Sequence, residues 1–197
     1  MRRLMAIGMV LLWPLGQLSG KEKVMPDLKG KTVLIIIAGT NFRDEEFFQP
    51  YELLKQRGTA VTVASSRQDK ARSVFGKTVV PDLLLADCKA ADYDAVVFIG
   101  GPGATEYFKN PAALALARSA AENGKILAAI CIAPVTLANA GVLKGKKAVC
   151  FPSMKEQLAK QGATVGTQAV LQDGLILTAV GPEAAREFGE ALVGMLK

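Results

Sequence analysis

Short, continuously apolar runs recur along this chain, separated by stretches with a helical period. Lys31–Ala38 (KTVLIIIA), Ala95–Ile99 (AVVFI) and Ile126–Ile130 (ILAAI) show no polar alternation, the pattern of strands covered on both faces. Ala60–Ala64 predicts another strand. Between these runs, Asp44–Arg57 sets Phe47, Tyr51 and Leu54 on one helical stripe and stops at Gly58. Pro111–Asn123 is an alanine-rich helix ending at Gly124, and Val135–Ala140 a small-residue helix ending at Gly141. Further on, Lys147–Phe151 predicts a strand, and Ser153 caps a helix reaching about Gln161, with Glu156 at the capping-box position. Ala169–Leu171 and Leu175–Thr178 flank Gln172-Asp173-Gly174 as a hairpin, and Pro182–Leu196 closes the chain as an amphipathic helix. The segment Ser65–Asp92 is less regular. Lys77–Pro81 predicts a short edge strand there and Leu83–Leu85 a satellite of the core, while Gly39-Thr40-Asn41 predicts a turn.

Strands alternating with helices imply an α/β domain with a mostly parallel sheet. Ligands of such sheets bind at the carboxyl ends of the strands. The turns after Ala38, Ile99 and Ile130 are therefore expected to gather on one edge.

Length and composition narrow the picture. A chain of 197 residues suits one domain with a sizeable core. Residues 1–20 read MRRLMAIGMVLLWPLGQLSG: two arginines, an apolar run broken by Pro14, then small and polar residues. That is the pattern of a secretory signal. It predicts export to the periplasm or medium, with a cut after Gly20; without cleavage it would be a membrane anchor, and without a true leader the protein would stay in the cytoplasm. Lys21–Gly30 is a polar lead-in, and residues 31–197 form the domain. Arg2 and Arg3, in the leader, supply two of the six net positive charges. The remaining basic residues are scattered among acidic ones, which reads as a solvated surface and not as a nucleic-acid stripe.

The chain has no histidine. This excludes Ser-His-Asp and Cys-His machinery as well as His-based metal sites. Cys88, Cys131 and Cys150 lack the paired spacing of a structural zinc, so no metal and no cofactor are expected. An exported protein meets an oxidising compartment that permits a disulfide, and three cysteines leave at least one thiol over. Cys131 has the most suggestive place, where the apolar run Ile126–Ile130 breaks into a helix. A side chain at such a break stands at the sheet edge beside the unpaired N–H groups of the helix start. Those groups favour negative charge, so Cys131 is expected to ionise more easily than a free thiol. Two readings stay open for it: a nucleophile or redox centre, or a small buried hydrophobe. Among the acids that begin the first helix, Glu46 lies deepest, beside Phe47 and Phe48. An apolar setting keeps such a carboxyl protonated, able to donate a hydrogen bond to a thiolate or an oxidised sulfur. Gly100-Gly101-Pro102-Gly103 lacks the lysine and serine of a P-loop. Its better use is to bring backbone N–H groups to Cys131 as an oxyanion hole.

These pieces match a family in order. VLIIIAGTNFRDEEFFQPYELLKQRG, YDAVVFIGGPGATEYF, ILAAICIAPVTLANAGVLKGKKA and QDGLILTAVGP resemble the ThiJ/PfpI superfamily, which includes the parkinsonism-associated deglycase and PfpI-type proteases and has a class I glutamine amidotransferase-like fold. The resemblance implies a flavodoxin-like three-layer sandwich, usually dimeric. It implies that Cys131 is the nucleophile-elbow cysteine and that Glu46, four residues before Pro50, hydrogen-bonds it. Gly100 and Gly101 match the glycine pair whose backbone faces the sulfur, with Ile132 completing the oxyanion site. Glu106 sits where protease-like members carry a glutamate reaching a neighbouring subunit. The departures are as informative. Ile132 and Phe151 occupy positions where members carry histidine, which argues against a protease.

Two functions from different classes follow. In one, Cys131 attacks a reactive carbonyl such as a 2-oxoaldehyde or its protein adduct, Glu46 shuttles the proton, and backbone near Gly101 and Ile132 holds the oxyanion. In the other, Cys131 is oxidised by peroxide in a non-catalytic stress protein. An inert binding member is the third reading.

Overall fold

Why the apolar runs become strands is plain from their cover. The computed structural model describes residues 26–197; the leader expected over 1–20, and the lead-in before Pro26, lie outside the described residues. The chain runs β1 Thr32–Ile36, β2 Thr40–Phe42, α1 Asp44–Gln56, β3 Ala60–Ser65, β4 Ala71–Ser73, β5 Thr78–Val79, β6 Leu83–Leu84 and β7 Ala95–Phe98. It continues through α2 Pro111–Glu122, β8 Ile126–Ile130, α3 Pro134–Asn139, β9 Lys147–Ala148, α4 Lys155–Lys160, β10 Thr164–Val165, β11 Val170–Asp173, β12 Ile176–Ala179 and α5 Ala185–Met195.

The main sheet has the order β11-β12-β8-β7-β1-β3-β6. Every pairing in it is parallel except β11–β12, the hairpin at one edge. The central strands β7 and β8 are buried throughout, as their unbroken apolar runs require. Helices α1 and α5 pack on each other over β3, β8 and β12, while α2 and α3 pack together against β7 and β8. The contact between α1 and α5 is close enough that a Cβ on Gly189 would lie 3.1 Å from Pro50 Cα. This is a flavodoxin-like three-layer arrangement. Parallel neighbours bring the carboxyl ends of β1, β7 and β8 to one edge, as the sequence predicts.

Several local expectations change. Gly39-Thr40-Asn41 is not a simple turn: Thr40–Phe42 is a strand, pairing parallel with β4 in a small second sheet that also holds β5. Lys77–Pro81 shrinks to β5 within that second sheet, and Leu83–Leu84 is the edge strand of the main one. Lys147–Phe151 is a strand only over Lys147–Ala148, paired with β10. Beyond it the backbone turns to other partners: Val149 N–H donates to Thr178 Oγ1 at 2.9 Å and Phe151 N–H to the Cys131 carbonyl at 2.8 Å. The Ser153 cap is absent. Pro152–Met154 forms a single 3-10 turn, and α4 starts after Met154 with no side-chain cap. Asn110 instead caps α2, accepting from the N–H groups of Ala112 and Ala113.

Candidate active site

Cys131 follows β8 directly and adopts a left-handed backbone, φ +65°. A Cβ makes that conformation costly, so it persists only where surrounding structure enforces it. The enforcement is visible. Cys131 N–H donates to the Ala179 carbonyl of β12 at 2.9 Å, and its carbonyl accepts from Phe151. The sulfur-bearing peptide is thus tied on both sides, and α3 begins three residues on.

Glu46 reaches the same point from α1. Its side chain is fully buried, and Oε2 accepts the Gly100 N–H at 3.0 Å. Oε1 has no such partner and the carboxyl neighbours Cys131. Pro50, one helical turn further on, has no N–H with which to bond the Glu46 carbonyl. Gly100 must be glycine for steric reasons: a Cβ there would lie 2.6 Å from both Cys131 Cβ and Glu46 Oε2, and 2.8 Å from the Ile130 carbonyl. Gly101 has φ +94°, and its added Cβ would lie 2.5 Å from Arg43 N and Asn41 O. The glycine pair is what lets the loop after β7 lie against both the elbow and the start of α1.

The two glycines play different parts. The N–H groups of Gly101 and Ile132 lie near enough to the Cys131 sulfur to favour its charged form. The Gly100 N–H serves Glu46, so the expectation that it faces the sulfur is replaced by a positioning role. Glu106 lies in the 3-10 turn that follows the glycine pair, its Oε1 accepting from Gly39 N–H at 3.0 Å and Ser66 Oγ at 3.1 Å. It ties the end of β1 to the end of β3.

The electrostatics correct the sequence reading of the thiol. Burial, and then the charge of Glu46, push Cys131 up to about 12, against the pull of the Gly101 and Ile132 N–H groups. The helix start cannot overcome this, because α3 is only six residues long and its first residue is Pro134. Burial likewise pushes Glu46 up to about 7, opposed by Cys131, Gly100 and Arg43. A carboxyl at that value is poised to take or give a proton at neutral pH. All three cysteines are free thiols. Among the described residues no cluster of acids or cysteines could hold a metal ion.

Cys131 as a residue is 7 % exposed and lines a cavity of about 240 Å³ together with Arg43, Glu46, Gly101, Pro102, Ile132, Phe151 and Pro182. Sequence reasoning missed Arg43 and Pro182 as site residues, took Pro102 only as part of the glycine-rich loop, and named Phe151 only as a departure. No local signal marks them, since a proline after a glycine pair or an arginine before an acidic helix start is common on any surface. Arg43 is held in a bidentate pair with Glu45, at 2.7 and 3.2 Å, and its guanidinium carbon lies 4.8 Å from the Phe75 ring centroid.

A sequence model of the DJ-1/PfpI family matches residues 31–195. The chain belongs to the DJ-1/PfpI family. An uncharacterized protein of Methanocaldococcus jannaschii is 35 % identical over 175 residues, 87 % of this chain and 85 % of that protein. A deglycase of Pyrococcus abyssi is 31 % identical over 141 residues, 72 % of this chain and 85 % of its own. Among solved structures, a ThiJ/PfpI domain protein from Brachyspira murdochii superposes with a TM-score of 0.83 at 31 % identity, over 85 % of this chain and 97 % of that one. Ile132 and Phe151, the two positions at which the resemblance would place a histidine, both line the same cavity as Cys131.

Proposed function

We propose that this DJ-1/PfpI protein is a cysteine-dependent enzyme acting on small reactive carbonyls, with Glu46 as its proton-transfer group. The observation that carries the reading is the pairing of a conformationally forced Cys131 with a buried carboxyl titrating near neutrality. With the thiol pushed up, free thiolate is not the resting nucleophile. Ionised Glu46 removes the thiol proton as sulfur attacks the aldehyde carbon of a 2-oxoaldehyde. A C–S bond forms, the carbonyl π pair moves onto oxygen, and Glu46 returns the proton there to give a hemithioacetal. The N–H groups of Gly101 and Ile132 face the developing charge. The same carboxyl moves the former aldehyde C–H proton to the adjacent carbonyl carbon, while the hemithioacetal O–H proton passes to that carbonyl's oxygen, which gives the thioester of a 2-hydroxy acid. Water cleaves it to a 2-hydroxy acid and restores the thiol, with no net oxidation. The deglycase name of the P. abyssi relative is in keeping with carbonyl chemistry.

The test is methylglyoxal consumption by the purified protein. Wild type is expected to turn it over with a rate that climbs as pH rises through about 7, the Glu46 value. Cys131→Ala should be inactive; equal rates for the two would sink the reading. The N–H groups around the sulfur also suit a sulfinate, which supports a second reading as a peroxide-responsive thiol. Intact mass after mild peroxide, with and without Cys131, separates the two.

A further inference from the structure

The walls of the cavity say more than its floor. Phe151 is 39 % exposed although its neighbours in sequence and space are fixed. Its backbone is anchored to the Cys131 carbonyl, and its ring lies against Gly181, where an added Cβ would stand 3.5 Å from Cδ2. Phe151 thus lines the cavity beside Cys131 and stays partly exposed. Ile132, Pro102 and Pro182 complete an apolar wall. The cation that lines the cavity is already engaged, since the Arg43 fork is taken by Glu45, and the other charged group there, Glu46, is an acid that would repel an anion.

Resting on the carbonyl reading above, we propose that Phe151, with Ile132 and Pro182, forms an apolar specificity rim that selects neutral 2-oxoaldehydes carrying an aryl or bulky aliphatic substituent over methylglyoxal and over anionic 2-oxo acids. The reacting aldehyde carbon sits at Cys131, and the substituent is carried outward across Ile132 onto the Phe151 ring. Covering an exposed aromatic face with an apolar group is favourable, and an aromatic partner adds an offset or edge contact. A 2-oxo acid would bring its carboxylate into this apolar wall with no unpaired cation to receive it, which is costly.

Two measurements on the intact protein test this and separate it from the catalytic reading. In the first, kcat/KM for phenylglyoxal is expected to exceed that for methylglyoxal by about tenfold, and the ratio to collapse toward one in Phe151→Ala. The second needs no turnover. Alkylation of Cys131 by N-benzyl-iodoacetamide and by iodoacetamide, each rate divided by that of free cysteine, is expected to favour the benzyl reagent by a similar factor, and Phe151→Ala should abolish the preference. Phe151→Leu should retain part of it in both assays. A benzyl preference without turnover of either aldehyde upholds the rim and overturns the catalytic reading. Turnover with a substituent ratio untouched by Phe151→Ala, or equal alkylation of wild type by the two reagents, overturns the rim.

Discussion

At the scale of single residues, the site depends on what is missing from Gly100 as much as on what Cys131 and Glu46 carry. One added methyl would meet the nucleophile's Cβ, the carboxyl oxygen and a backbone carbonyl together, and the last of these cannot swing aside. Gly100→Ala is expected to destabilise the fold by about 1–3 kcal/mol and, by separating Cys131 from Glu46, to lower carbonyl turnover by about a hundredfold. Urea unfolding and the methylglyoxal assay check both halves; near-wild-type activity would show that the pair tolerates the shift. At this scale the sequence was legible in part. Cys131 stood out because an apolar strand breaking at once into helix leaves few alternatives for the residue at the break. The direction of its titration was not legible, since it depends on how much solvent the folded cavity removes and on a carboxylate 85 positions away in the chain. The division of labour between Gly100 and Gly101 was equally hidden, as both read as one glycine-rich turn.

Elements behave differently. The small sheet of β2, β4 and β5 is held to α1 through buried Asp44, which accepts from Ser73 Oγ at 2.6 Å and from Phe75 N–H at 3.0 Å. Ser73 Oγ in turn accepts from Lys77 N–H. Asp44 therefore does more than favour the helix start. Asp44→Ala should cost about 1–3 kcal/mol, because it strands donors that the carboxylate satisfied. Amide exchange should speed up across β4 and β5 before it changes in β1 and β7; uniform protection in the variant would contradict this. Long apolar runs were readable as elements because burial on both faces imposes a single composition. Pairings of two or three residues, such as β9 with β10 or β2 with β4, were not. Their partners are set by where the main sheet leaves the chain. The cap expected at Ser153 failed for a related reason: the Cys131 carbonyl captures the Phe151 N–H just before Pro152, and the chain enters a 3-10 turn instead.

For the molecule as a whole, Glu46 links stability to pH. Its folded value, about 7, lies above the ordinary 4.5, so the folded state binds this proton more tightly than the unfolded one. The resulting stabilisation is complete below 4.5 and is lost as pH rises to about 7, beyond which it no longer changes. The loss is on the order of 3 kcal/mol. In Glu46→Gln the slope should vanish, so the wild-type-minus-variant difference in unfolding free energy should fall across this interval; a flat difference would mean that Glu46 titrates alike in both states. The general architecture was legible from alternation alone, because parallel strands need covering helices and long connections. The antiparallel hairpin at the edge was legible from its turn. The cavity wall was not, since it assembles Arg43, Pro102, Phe151 and Pro182 from four separate connections.

The two backbone hydrogen bonds that clamp Cys131 bear on how the protein is made. One runs to Ala179 in β12 and the other to Phe151, segments that leave the ribosome well after β8. Until they arrive, neither of these bonds can hold Cys131 in its left-handed conformation. The reactive turn is thus among the last features to become fixed, and a nascent chain already carrying its first parallel strands has yet to acquire its chemistry.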